Sequence, residues 1–148
     1  MKIADMLQQY TRLLIDTAPL VYFVEQHPQY VQRVTPIFQA LDVGTIQAVT
    51  SPITLAEALV QPYRQGQVPM QQAFINTITR GHHTRFVAID DTLSREAAQL
   101  RSRYNLSLTD AFQVAVAMAA GCDAFLTNDY GLRRVSEVSI VIVDELEL

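Results

Sequence analysis

Gly121-Cys122-Asp123-Ala124-Phe125-Leu126-Thr127-Asn128-Asp129 is the stretch that decides the fold. Gly121 ends an alanine-rich helical segment that opens at Ser107, because glycine enters the left-handed conformation of a helix stop without a Cβ penalty. Ala124 to Thr127 is then an apolar run of strand length, and Asp129 stands just past its end. A helix, a tight stop, a strand and an acid at the strand's carboxyl end make one half of an alternating α/β unit.

The same order recurs upstream. Arg12 to Ile15 is a short apolar run ending at Asp16, and Pro19 is placed to open a helix through about Gln26. Pro28 breaks it, and Tyr30 to Leu41 reads as the next helix, with Pro36 inside. Thr45 to Thr50 follows Gly44 as a β-branched strand. Ser51-Pro52 opens a helix to about Gln65, closed by Gly66 and open to shortening at Pro62. Pro69 to about Arg80 is another helix and Phe86 to Ile89 a third strand. A helix from Asp91 or Thr92 to about Tyr104 comes next, and Val138 to Val143 is the last strand. Before all of this, Ile3, Met6, Leu7 and Tyr10 recur at helical spacing, so residues 1–11 read as an N-terminal helical extension. Strands separated by helices pair in parallel through right-handed crossovers. The expected fold is one α/β domain spanning residues 1–148, with a central parallel sheet of about five strands flanked by helices.

Composition agrees with a folded, non-membrane chain. At 148 residues, 49% of them hydrophobic, and a mean hydropathy of +0.12, there is enough apolar material for one core. No apolar run is long enough to cross a bilayer; Ala111 to Ala120 is short and is interrupted by Gln113. The single cysteine, Cys122, points to a reducing compartment, and a cytoplasmic location is expected. A net charge of -4 does not describe a generic nucleic-acid binder. The basic residues are nearly all arginine, with Lys2 the only lysine, and arginine suits bidentate phosphate contacts.

Four acids stand where a strand or loop hands over to a helix: Asp16, Glu57, Asp110 and Asp129. In an open parallel sheet the crevice lies outside the carboxyl ends of the strands, and such junctions gather there. Each acid also has a plain structural explanation. Thr54-Leu55-Ala56-Glu57 and Ser107-Leu108-Thr109-Asp110 match capping boxes, which places Glu57 and Asp110 in opening turns of helices. Asp16 and Asp129 could cap the turns that follow them. Capping explains the acids singly and explains the set poorly. Two carboxylates ~5 Å apart at an effective dielectric of ~20 repel by about 3 kcal/mol, so a converging set asks for a cation. Oxygen-only ligands without paired Cys or His favour Mg²⁺ or Mn²⁺ over Zn²⁺.

The segments Leu14-Ile15-Asp16-Thr17, Thr54-Leu55-Ala56-Glu57, Leu108-Thr109-Asp110-Ala111 and Gly121 to Asp129 together resemble PIN-domain proteins, nearest the VapC-type toxin ribonucleases. The resemblance spans nearly the whole chain in order. It implies a parallel sheet flanked by helices and metal-dependent endonucleolytic cleavage of single-stranded RNA, leaving a 5′-phosphate and a 3′-hydroxyl. It implies that Asp16, Glu57, Asp110 and Asp129 are both catalytic and metal-binding (Mg²⁺ or Mn²⁺), with Thr127 in support. A small antitoxin partner and a homodimer come with it. Two departures concern substrate contacts and partner docking: the leading segment Met1 to Thr11, and Asp16-Thr17-Ala18-Pro19 where many members carry asparagine two residues after the acid.

Other residues are expected to matter less. Asp123 sits at the opposite strand end from Asp129 and reads as a turn residue. His82 and His83 read as loop residues, and Cys122 as an inert thiol. Arg101, Arg103 and Tyr104 fit an exposed helix face as well as a phosphate path. Arg133 and Arg134, soon after Asp129, are candidate substrate contacts. An aspartate-nucleophile phosphatase would need a second acid at Ala18 and a placed lysine, and no glycine-rich phosphate loop is present. A non-catalytic PIN-fold binding protein is the rival from another class.

Overall fold

Apolar strands buried on both faces mark a parallel sheet covered by helices on either side, and that is how this chain folds. The computed structural model describes all 148 residues. In order these are α1 (Ile3–Gln9), β1 (Arg12–Ile15), α2 (Thr17–Val24), α3 (Val31–Val43), β2 (Gln47–Thr50), α4 (Pro52–Arg64), α5 (Val68–Arg80), β3 (Thr84–Phe86), α6 (Asp91–Tyr104), α7 (Leu108–Ala119), β4 (Ala124–Thr127) and β5 (Ser139–Ile142). The five strands form one sheet in the order β3-β2-β1-β4-β5, and every pairing is parallel. Seven helices flank it. None is long and apolar enough to cross a membrane.

Side-chain alternation divides the core into two layers. Leu13 and Ile15 of β1 and Ala124 and Leu126 of β4 face one layer, shared with Val34 and Ile37 of α3 and Phe74 and Ile78 of α5. Leu14 of β1 and Phe125 of β4 face the other, shared with Leu100 of α6 and Val114 and Ala117 of α7. β4 is buried at all four positions, as a central strand between two helical layers must be.

α7 ends as Gly121 predicts. Gly121 takes φ +70°, its N–H reaches the Met118 carbonyl, and the Cys122 N–H reaches the Ala117 carbonyl, a Schellman stop. This delivers Asp123 to the start of β4. The amino-terminal helix is tied into the core, with Ile3 and Met6 buried. The Ile3 N–H donates to the Glu147 carbonyl and the Glu147 N–H to the Met1 carbonyl, so the two ends of the chain pair.

Several boundaries differ from the sequence reading. α2 begins at Thr17 with Asp16 as its cap, so Pro19 is the third helical residue, where the missing N–H would have had no helical partner in any case. α4 runs through Pro62 to Arg64, and α3 runs through Pro36. The β3 ladder lies at Thr84–Phe86, upstream of the apolar run Phe86 to Ile89. β3 pairs only with β2, and the register of an edge strand follows its one neighbour. Ser51 caps α4 through a bond from the Ile53 N–H. Thr54 is therefore no cap, and Glu57 sits in the second turn, outside any capping box.

Candidate active site

The chain crosses from one side of β1 to the other between β3 and β4, so the strand order reverses between β1 and β4. That is the switch point at which an open parallel sheet leaves a crevice. Asp16 follows β1 directly and Asp129 lies two residues past β4. Glu57 rides on α4, which leaves the same sheet edge after β2, and Asp110 lies in the first turn of α7.

Asp16 is the buried member, with 9% of its surface exposed. Its Oδ1 accepts from the Thr17 N–H at 2.9 Å and its Oδ2 from the Thr127 hydroxyl at 2.8 Å. Thr127, fully buried, also accepts from the Asp129 N–H at 3.1 Å. One hydroxyl thus links the buried acid of β1 to the backbone that carries Asp129. The Thr17 hydroxyl donates to Glu57 Oε1 at 2.7 Å, tying α2 to α4. Ser107 caps α7 by accepting from the Asp110 N–H at 3.2 Å. Asp129 Oδ1 accepts from the Gly131 N–H at 2.8 Å and caps the 3-10 turn Tyr130–Arg134. Glu57 and Asp129 are exposed and Asp110 is half-buried.

Charge links all four. Burial is the largest influence on Asp16 and pushes its carboxyl from 3.8 up to about 6; the Thr127 and Thr17 hydrogen bonds pull it down, and the charges of Asp110 and Glu57 push it up. Asp110 is also pushed up, first by burial, with Ser107 pulling it down and Asp129 and Glu57 pushing it up. The molecule's five ion pairs employ Asp144, Asp42, Asp91, Glu137 and Glu145. None of the four site acids has a cationic partner. No three of these side chains close into a compact metal cage as they stand.

The remaining residues singled out in the sequence are held elsewhere. Asp123 lies at the opposite sheet edge and accepts from the Thr11 N–H at 2.9 Å, the Thr11 hydroxyl at 3.2 Å and the Arg12 N–H at 2.8 Å. His82 meets Asp42 at 2.7 Å and His83 meets the Leu41 carbonyl at 2.8 Å. Arg103 and Tyr104 both engage Glu137, and Arg101 donates to the Leu106 carbonyl at 2.9 Å. Burial pushes the Cys122 thiol up to about 12, away from the reactive thiolate. Arg133 is paired with Glu145 and lies over the Tyr130 ring. Arg134 donates from Nε to the Gly131 carbonyl at 2.9 Å. Both arginines are exposed, close in the chain to Asp129.

Three groups at this edge escaped the sequence reading. Thr17 orients Glu57. Asn128 donates to the Tyr22 hydroxyl at 3.1 Å and accepts from the Asp144 N–H at 2.9 Å, joining the ends of β4 and β5 to α2. Gln113, fully buried, bridges α7 to the start of α4. Its signal was present, as the one amide inside an otherwise apolar run.

The chain matches known proteins in family profile and in fold. The PIN domain family profile matches residues 13–138. The fold resembles the VapBC2 complex of Rickettsia felis bound to a promoter DNA fragment, at 14% identity and TM-score 0.70 over 89% of this chain and 98% of that one. It also resembles a toxin–antitoxin complex from Klebsiella pneumoniae, at 21% identity and TM-score 0.65 over 88% and 97% of the two chains. VapC20 of Mycobacterium tuberculosis, a toxin that cleaves the sarcin-ricin loop, is similar at 16% identity and TM-score 0.64 over 76% and 86%. No curated protein matches the chain. Likeness at these identities is one of fold, and the family match covers most of the sequence: the chain belongs to the PIN-domain family.

Proposed function

We propose that this protein is a metal-dependent endoribonuclease that hydrolyses phosphodiester bonds of single-stranded RNA, the toxin of a type II toxin–antitoxin pair. The observation that carries the reading is a set of four electrostatically coupled acids without a cationic partner, at the switch point of a PIN-family sheet. Carboxylates left in that condition destabilise a fold unless a cation joins them. The donor set is all oxygen, which fits a hard divalent cation, and Asp16, Glu57, Asp110 and Asp129 would hold Mg²⁺ or Mn²⁺. When bound, such an ion supplies Lewis acidity toward a phosphodiester and makes water a competent nucleophile near neutral pH.

The chain's own groups do the positioning. Thr127 fixes the Asp16 carboxylate through Oδ2, and Thr17 fixes Glu57 through Oε1. Arg133 and Arg134 are proposed to contact substrate phosphates, since both are exposed beside Asp129. A small antitoxin partner is part of the proposal, supported by the toxin–antitoxin complexes among the similar structures; a homodimer is proposed with it on the family resemblance alone.

The test is RNA cleavage by the purified protein in Mg²⁺ or Mn²⁺, with and without EDTA, beside Asp16→Asn and Asp110→Asn. Metal-dependent cutting that both folded variants lose is expected. Cutting that survives both variants would sink the assignment. The rival reading is a non-catalytic PIN-fold regulatory protein. Mn²⁺ binding without cleavage of any RNA would move the balance to it.

A further inference from the structure

Glu57 and Asp110 stand on different helices, and something must hold their separation. The only hydrogen bonds that join α4 and its cap to α7 pass through one side chain. The Ser51 hydroxyl donates to Gln113 Oε1 at 2.6 Å, and Gln113 Nε2 donates to the Thr54 hydroxyl at 2.7 Å. Ser51 and Thr54 are fully buried and Gln113 is 1% exposed. Gln113 is one turn beyond Asp110 on α7, and Thr54 is one turn before Glu57 on α4. Ser51 also accepts the Ile53 N–H, so the same cluster defines where α4 begins.

We infer that Gln113 is a positioning residue that sets the separation of Glu57 and Asp110 and thereby the site's affinity for a divalent cation. The inference rests on the acidic site proposed above. An amide suits the task because its carbonyl oxygen accepts from Ser51 while its NH₂, on a separate atom, donates to Thr54. Both bonds are short and sealed from water, and no buried side-chain polar atom is left without a partner. A helix pair held only by apolar contacts can slide between near-equivalent packings; two directional bonds in a dry site admit one. The neighbours of Gln113 on α7 are the interchangeable apolar kind, Val114, Ala115, Val116 and Ala117, all buried. A glutamine there breaks the apolar pattern for a geometric return.

The experiment compares Mn²⁺ affinity, read from the resonance of free Mn²⁺, with the thermal midpoint in EDTA. Gln113→Met keeps length and removes both bonds. Val116→Ala, buried on the same helix and away from the bridge, supplies a destabilised control. Gln113→Met should weaken Mn²⁺ binding about tenfold or more, the usual effect of removing a group that orients metal ligands. Val116→Ala should stay within about twofold at an equal or lower thermal midpoint, because lost packing alone leaves the acid spacing intact. Unchanged affinity in Gln113→Met, or an equal loss in Val116→Ala, would overturn the inference. Thr54→Val removes only the Nε2 partner and should weaken binding in the same direction; it serves if Gln113→Met does not fold. If the wild-type protein takes up no Mn²⁺, the acidic-site reading fails. The positioning claim is then decided by the metal-free crystal structure of the folded variant: a changed Glu57–Asp110 separation upholds it, and an unchanged one overturns it.

Discussion

Asp16 and Asp123 are aspartates at opposite ends of two neighbouring parallel strands, and the fold treats them in opposite ways. Asp123 stands at the entry to β4 and collects two backbone N–H groups and a hydroxyl from the entry to β1. Those bonds hold its carboxyl below the usual range against the effect of desolvation. Asp16 stands at the exit of β1, is buried, and is pushed up by that burial and by two like charges. Asp123 is an acid the fold satisfies, and its work is finished when the chain is folded. Asp16 is an acid the fold leaves in deficit. The difference shows why residue type alone cannot find a site, whereas the balance of donors and charges around each carboxylate can.

The largest effect expected from this contrast is on stability without metal. Burying the ionised Asp16 costs up to about 3 kcal/mol, from the distance between its ordinary 3.8 and about 6. The folded state holds the proton more tightly than the unfolded state. The stabilisation from protonated Asp16 is therefore full below about 3.8 and is lost as pH rises through about 6. Asp16→Asn should match wild type at acid pH in EDTA and surpass it above pH ~6, by roughly 5–10 °C in thermal midpoint for a domain of this size. Excess Mn²⁺ should narrow the gap by stabilising wild type alone. A variant less stable than wild type at pH 7.5 in EDTA would break the contrast, since Asp16 would then be a satisfied structural acid.

Asp123→Ala should do the reverse and somewhat less. It removes three hydrogen bonds at an exposed edge, worth about 2 kcal/mol together, so the midpoint should fall by roughly 5 °C. Because the carboxyl is held low, this contribution is present above the ordinary 3.8 and is lost as pH falls through the lowered value. Its difference from wild type should therefore vanish toward acid pH, where that of Asp16→Asn also vanishes, and have the opposite sign at neutral pH. RNA cleavage, assayed below the midpoint, should change less than about twofold, since a surface-edge group far from the site acts on stability alone. A large loss of cleavage in folded Asp123→Ala would extend the site to the wrong end of the sheet.

What was legible in the sequence follows the range of the interactions. The strand–acid junctions at Asp16 and Asp129, the Gly121 stop and the Ser51-Pro52 helix start depend on a few adjacent residues, and all can be read locally. Glu57 reads as part of an opening turn because Thr54 imitates a cap. Ser51 wins that role, and the buried Thr54 hydroxyl accepts from Gln113 instead. The sequence draws β3 toward Phe86 to Ile89, a run more apolar than Thr84-Arg85, yet an edge strand takes its register from its neighbour. The links Thr17 to Glu57, Thr127 to Asp16 and Gln113 to Ser51 span 40, 111 and 62 residues. No periodicity encodes such a pairing. Only the folded sheet brings the partners together.

The smallest expected effect probes the side-chain bond that, with the Thr17 amide, keeps Asp16 from a still larger deficit. The Thr127 hydroxyl donates to Asp16 Oδ2 and accepts from the Asp129 N–H, so it serves both acids that flank the switch point. Thr127→Val preserves shape and removes the hydroxyl. Because that hydrogen bond lowers the Asp16 carboxyl, its loss moves Asp16 further up. The acid limb of the cleavage profile should then shift to higher pH. At neutral pH the rate should fall about tenfold, near 1.4 kcal/mol, as for loss of a group that orients a metal ligand. A drop in rate with an unmoved acid limb would mean that Thr127 serves only the turn at Asp129. An unmoved limb and an unmoved rate would mean that Asp16 draws its orientation from the Thr17 amide alone. The exit of β1 would then resemble its entry, an acid oriented by backbone donors, and the contrast between the two aspartates would rest on burial and on the like charges of Asp110 and Glu57.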